Sequence, residues 1–137
     1  MYTLGISYAS EDIEYVSKFV QIIKNNNISV FFDRDEYIRL ISTYLHEELY
    51  KIFSSECEHC IIFLSKNYLK KSHTILEMRT ILNASLEKNC YFSVANFDNS
   101  VFPSLPTDFL QIDINQYSPE ELATIMIKKL KYIHILP

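Results

Sequence analysis

At 137 residues the chain is long enough for one domain with a proper core and too short for a second domain of ordinary size. Nearly half of it is apolar (48%), and 13 basic against 17 acidic side chains leave a net charge of -4 with no basic block to track a phosphate backbone, which excludes direct nucleic-acid binding as a first reading. Apolar runs stay far below the roughly 20 residues that span a bilayer, MYTLGISY lacks the basic region of an export signal, and three cysteines without framework spacing suit a reducing cytoplasm; no membrane partner is expected.

In chain order, TLGISY (3–8) reads as a first strand. A helix follows from Ser10 or Glu11 to about Asn25, with Ile13, Val16, Phe19, Val20 and Ile23 on one stripe and the run Asn25, Asn26, Asn27 as its stop. ISVFFD (28–33) is apolar on both faces, as a covered parallel strand should be. A second helix is expected from Ser42 or Thr43, with Leu45, Leu49, Ile52 and Phe53 at helical spacing. Cys57, His59 and Cys60 could open a zinc site, yet no second ligand pair follows at zinc-finger spacing. Cys60 reads more simply as a small hydrophobe at the head of the strand CIIFLS (60–65), and no metal is expected.

A third helix carries Ile75, Met78, Leu82 and Leu86 on one face, and a fourth strand spans CYFSVANF (90–97). Residues 96–109 contain two prolines and read as loop, before a fifth strand, FLQIDI (109–114). Ser118, Pro119 and Glu121 then spell a helix start: an N-cap, a proline in the first helical position and the carboxylate of a capping box, with Leu122, Ile125, Leu130 and Ile133 as the buried stripe. Strands alternating with helices predict an α/β, flavodoxin-like three-layer fold, with a five-stranded parallel sheet in the order 2-1-3-4-5 flanked by helices.

In that topology a site opens beyond the carboxyl ends of strands 1 and 3, where the strand order reverses. Three segments are nominated: Tyr8, Ala9 and Ser10 after strand 1, residues 33–36 beginning Asp33 and Arg34 after strand 2, and residues 65–68 ending at Tyr68 after strand 3. Glu77 lies on the helix that follows, with His73 one turn before it. At 100° per residue Glu77 is expected roughly opposite the centre of that helix's apolar face, at the crevice rim. By itself it could be an ordinary surface carboxylate near a helix N-terminus.

Several sites are excluded. A phosphate-accepting receiver domain needs an aspartate at the end of strand 3, where Leu64 and Ser65 stand. Gly5 is the only glycine, so there is no Gly-rich phosphate loop, and Glu11 and Asp12 at the first helix start would repel a flavodoxin-type phosphate. His46, His59 and His134 are scattered, suggest no catalytic set and read most simply as surface or helix-side residues.

Laid out in this way, the chain resembles a Toll/interleukin-receptor (TIR) domain of the bacterial type over essentially its whole length. GISYASED (5–12) is similar to the family's first box, ISVFFDRDE (28–36) to the second strand and its exit, and IIFLSKNY (61–68) to the third. In catalytic members a glutamate on the helix after strand 3, four residues beyond a tryptophan, is required to cleave NAD. The resemblance places it on Glu77, followed by Arg79, and places the tryptophan on His73, in a chain without tryptophan. Tyr37, Ile38 and Arg39 stand where similar sequences carry Trp-Gly-Lys.

The resemblance thus implies an NAD glycohydrolase or ADP-ribosyl cyclase. Glu77 would be catalytic, and Tyr8, Ala9, Ser10, Asp33, Arg34, Arg39, Tyr68 and His73 would be substrate-binding. Of these, Tyr8, Tyr68 or His73 would pack on a ring, and Arg34 or Arg39 would meet the pyrophosphate. NAD would be the substrate, with no separate cofactor. The resemblance further implies assembly with other TIR domains into a homo-oligomer or filament, a sensor domain or subunit, and a role in antiviral defence. Residues 1–137 would form a single domain, the N-terminal effector of a longer protein. The alternative within the family is a non-catalytic adaptor, whose contact would be the apolar segment of Tyr37, Ile38, Arg39, Leu40 and Ile41. A nucleoside deoxyribosyltransferase has a related fold and a glutamate nucleophile, but the first two boxes speak against it.

Overall fold

The computed structural model describes residues 1–89 and 91–137. Five parallel strands, β1 (Tyr2–Ser7), β2 (Val30–Phe31), β3 (Cys57–Leu64), β4 (Phe92–Asn96) and β5 (Ile112–Asp113), form one sheet in the order β2-β1-β3-β4-β5. This is the flavodoxin-like arrangement expected from the alternating periods. Among the described residues six α-helices accompany it: α1 (Ile13–Asn25), α2 (Tyr37–Leu40), α3 (Leu45–Lys51), α4 (Lys66–Leu69), α5 (Ser72–Ser85) and α6 (Pro119–Tyr132). Among the described residues, no helix is long and apolar enough to cross a membrane.

The strands alternate side chains between two cores. On one face, Leu4, Ile6, Ile61 and Phe63 meet Phe19, Val20 and Ile23 of α1 and Leu122 and Met126 of α6. On the other, Cys60, Ile62, Leu64 and Val94 meet Phe53, Met78 and Ile81. Gly5 lets β1 approach its neighbour: a Cβ there would lie 2.6 Å from the Cys57 sulfur. Cys57 and Cys60 are both buried in β3, which begins three residues earlier than expected and absorbs the CEHC stretch. His59 is buried too, its Nε2 2.9 Å from Ser93 Oγ, so the reading of this residue as surface or helix-side is corrected.

Helix ends follow the signals in the chain. α1 stops at Asn26, with Asn27 at φ 60, a conformation asparagine tolerates. The Ser118 and Glu121 capping box of α6 is complete. Elsewhere the expected elements are trimmed or moved. The edge strand β2 keeps only two residues of ISVFFD, and FLQIDI contributes only Ile112–Asp113. The fourth strand starts at Phe92, while its expected first residue, Cys90, lies outside the described residues. α3 begins at Leu45 and widens into a π-helical turn, Ile52–Glu56, before β3.

The buried stripe of α5 is centred on Thr74, Met78 and Ile81, whereas Leu86 lies past the helix and is 84% exposed. This rotates the inward face by roughly 80° from the one expected and brings Glu77 to its edge. Glu77 therefore does not point away from the core.

Candidate active site

Three strand exits converge beyond the carboxyl end of the sheet. β1 ends at Ser7, whose side chain lies on the α5 side, and the chain continues through Tyr8 and Ala9. The turn Asp33–Asp35 follows β2, and Ser65 caps α4 after β3 by accepting from the Tyr68 N–H at 3.1 Å. Asp12 ties the exits of β1 and β3 together, accepting from Ser65 Oγ at 2.5 Å and from Asn67 Nδ2 at 3.3 Å.

Glu77 reaches into this junction from α5. Ser7 Oγ donates to Glu77 Oε1 at 2.7 Å, and the Tyr68 hydroxyl lies 2.8 Å from the same Ser7 oxygen. The rest of the carboxyl opens on a groove of about 510 Å³ lined by residues that include Asp33, Arg34, Tyr37, Ile41 and His73. An apolar recess of about 150 Å³, between Leu49 and Tyr50 of α3 and Leu76 and Thr80 of α5, adjoins the groove. Burial pushes the Glu77 carboxyl up to about 8; the Ser7 hydrogen bond opposes the rise and the nearby Asp33 charge adds to it. A carboxyl that titrates near neutrality at the base of a cleft is a common mark of a functional group.

The expected site residues divide. Glu77, His73, Asp33 and Arg34 all line the groove, with His73 exposed at its rim. Tyr8 is close by but not free to pack on a substrate ring: it is buried against Phe32, with ring centroids 5.3 Å apart, and its hydroxyl donates to Asp33 at 2.7 Å. Tyr68 is wholly buried behind Glu77, which corrects its expected part as a ring platform. Ala9 is wholly buried and offers no side-chain polarity, and Ser10 turns to Lys71 and Glu11 at 2.7 and 3.0 Å.

Arg39, expected at the pyrophosphate, is not among the residues that line the groove. Its guanidinium binds Glu48 at 2.9 Å, Glu56 at 2.9 Å and the Tyr2 hydroxyl at 3.0 Å. Although burial opposes the charge, these hydrogen bonds hold Arg39 more firmly protonated than usual. Arg39 thus braces the segment that walls the groove. Residues not anticipated at the site are Ser7, His46, Leu49, Tyr50, Leu76 and Thr80. Ser7 had a signal: a polar side chain at the carboxyl end of a largely apolar strand.

The TIR domain family model matches residues 5–126. The chain belongs to the TIR domain family. This TIR domain is 29% identical over 133 residues to a 3′ cyclic ADP-D-ribose synthase of Aquimarina amphilecti, a match over 95% of this chain and 40% of that protein. The chain thus spans two fifths of the length of that relative. Among solved structures, it is similar to the TIR domain of the Toll-related receptor TRR-2 of Hydra magnipapillata, with a TM-score of 0.70, 15% identity, and coverage of 93% of this chain and 98% of that one. It is also similar to the TIR domains of the activated Roq1 resistosome, with a TM-score of 0.64, 18% identity, and coverage of 94% and 72%. At these identities the two structures establish the shared fold.

Proposed function

We propose that this TIR domain cleaves the bond between nicotinamide and ribose in NAD, with the Glu77 carboxylate beside the reacting ribose. The observation that carries the reading is a carboxyl held from behind by Ser7 at the base of a groove that it helps to line, with burial raising its pKa. The groove's volume lies within the roughly 300–1,000 Å³ of small-molecule sites. The Aquimarina relative's name supports the reading by its product, a cyclic ADP-D-ribose.

The chemistry needs little more than one carboxylate. Nicotinamide leaves from a pyridinium, so the C1′–N bond breaks with its electron pair going to the ring nitrogen, and no acid is required to expel it. The ribose then carries oxocarbenium character, as in glycoside hydrolysis. A fixed carboxylate within a water-poor cleft stabilises that developing charge. The same pyridinium, bound beside Glu77, favours the ionised carboxylate before the bond breaks. The apolar recess between α3 and α5 offers room for a base, and Arg34 is the groove cation suited to the pyrophosphate. Attack on C1′ by water gives ADP-ribose and a proton. Attack by a hydroxyl of the same molecule gives a cyclic isomer, the kind of product for which the Aquimarina relative is named.

A second reading, assembly with further TIR domains, is favoured by an exposed apolar surface. Ile38 and Tyr44 are 83% and 82% exposed on the outer side of the groove wall, while their neighbours Tyr37 and Ile41 line the groove itself. A second copy seated there would cover the groove mouth and exclude water, so the two readings combine into an enzyme completed by self-association. A sensor that triggers assembly, a cytoplasmic setting and a role in antiviral defence belong to the same proposal, by analogy with the family.

The pH dependence of NAD cleavage tests the assignment. If ionised Glu77 is the working form, kcat/KM for nicotinamide release rises tenfold per pH unit below an apparent pKa near 8 and levels off above it. A profile that is flat between pH 6 and 9 contradicts it.

A further inference from the structure

Ser7 is wholly buried, and its hydroxyl carries one proton for two neighbours: Glu77 Oε1 at 2.7 Å and the Tyr68 hydroxyl at 2.8 Å. An ionised carboxylate only accepts. With Glu77 ionised, the Ser7 proton therefore goes to Oε1, and Tyr68 must donate its own proton to Ser7 Oγ. The order Tyr68 to Ser7 to Glu77 is fixed by this count. Tyr68 is itself anchored by backbone: its N–H donates to Ser65 Oγ at 3.1 Å, and its carbonyl accepts from Thr74 Oγ1. The chain of hydroxyls therefore ends on the rigid exit of β3, not in solvent.

We propose that Ser7 and Tyr68 are positioning residues for the Glu77 carboxylate: they hold Oε1 from behind, leave Oε2 to face the groove, and support the ionised form. The inference rests on Glu77 being the group that acts on NAD. Its specificity comes from the other groups around the carboxyl. Asp33 and Tyr8 approach from the exits of β2 and β1, Arg34 and His46 line the groove, Tyr50 stands across the recess on α3, and His73 lies on α5 itself. Burial and the Asp33 charge disfavour ionisation, whereas Ser7 favours it. A buried pair of apolar side chains would fill the same space without holding either carboxylate oxygen.

The test follows the Glu77 titration in two ways: by the pH dependence of unfolding free energy, each variant measured against its Glu77→Gln counterpart, and by kcat/KM for nicotinamide release. Ser7→Ala is expected to move both midpoints up by about one pH unit and to lower activity at pH 7 about tenfold. Tyr68→Phe moves them in the same direction by less and remains informative where Ser7→Ala does not fold. Ser7→Thr, which keeps the hydroxyl, restores the wild-type midpoint. Unmoved midpoints in both Ser7→Ala and Tyr68→Phe overturn the proposal. A moved stability midpoint with no nicotinamide release from the wild type supports the positioning of the carboxylate and overturns the NAD-cleavage reading instead.

Discussion

Glu77→Gln is expected to be more stable than the wild type at neutral pH, by on the order of 2–3 kcal/mol, while losing its activity on NAD. The folded protein keeps a proton on Glu77 up to about pH 8, whereas the same carboxyl in the unfolded chain ionises above about 4.5. Between these values the folded state binds more protons than the unfolded state, so the wild type loses stability as pH rises from about 4.5 to 8. Above that range the penalty is constant, and below it there is none. Gln carries no charge to desolvate and can still accept from Ser7 through its amide oxygen. Because one side of the carboxyl opens on the groove, the figure is an upper range. Urea unfolding at pH 4, 6 and 8.5 checks the prediction: the advantage of the variant should be absent at the first pH, intermediate at the second and full at the third. An advantage that grows as pH falls would show that burial of the carboxyl is not what shifts it. A gain in stability bought with loss of activity is the signature of a group kept for function.

Phe63→Ala is expected to act in the opposite direction, costing about 3–5 kcal/mol. Phe63 lies on the central strand β3 and is wholly buried. Its ring meets Phe19 edge-on at 5.4 Å, Tyr15 at 6.4 Å and Phe97 at 6.2 Å, so truncation opens a void where three aromatic side chains converge. These neighbours come from α1 and from the exit of β4, and they cannot close the gap without disturbing the sheet. The urea midpoint should fall sharply with little change in slope. A loss below about 1 kcal/mol would contradict this packing.

The fold was legible because its signals are local. Alternating periods, the asparagine run after α1 and the Ser118 cap each act within a few residues, and each stands where the pattern put it. Strand lengths were overread at the sheet edges, since β2 pairs only with β1 and β5 only with β4. The face of α5 was misjudged by counting aliphatic residues alone: Thr74 is buried because its hydroxyl serves backbone carbonyls, and Leu86 falls beyond the helix. That miscount hid the inward turn of Glu77.

The partners of the site residues were harder to see because they are distant in sequence. Ser7 is separated from Tyr68 by 61 residues and from Glu77 by 70. Arg39 meets Glu48 on α3 and Glu56 at the end of the π-helical turn that follows it, partners that no local motif links to it. Spacing along the chain could nominate a cation for the groove but could not show that two carboxylates already hold it.

The central claim, an NAD-cleaving TIR domain acting through Glu77, is tested most directly by proton NMR of NAD incubated at pH 8 with rising concentrations of the protein and of Glu77→Ala. The account predicts free nicotinamide whose rate of appearance climbs more steeply than protein concentration, with ribose signals that identify ADP-ribose or a cyclic isomer, and no release from the variant. Intact NAD in the presence of folded, self-associated protein, or equal release from Glu77→Ala, would contradict it.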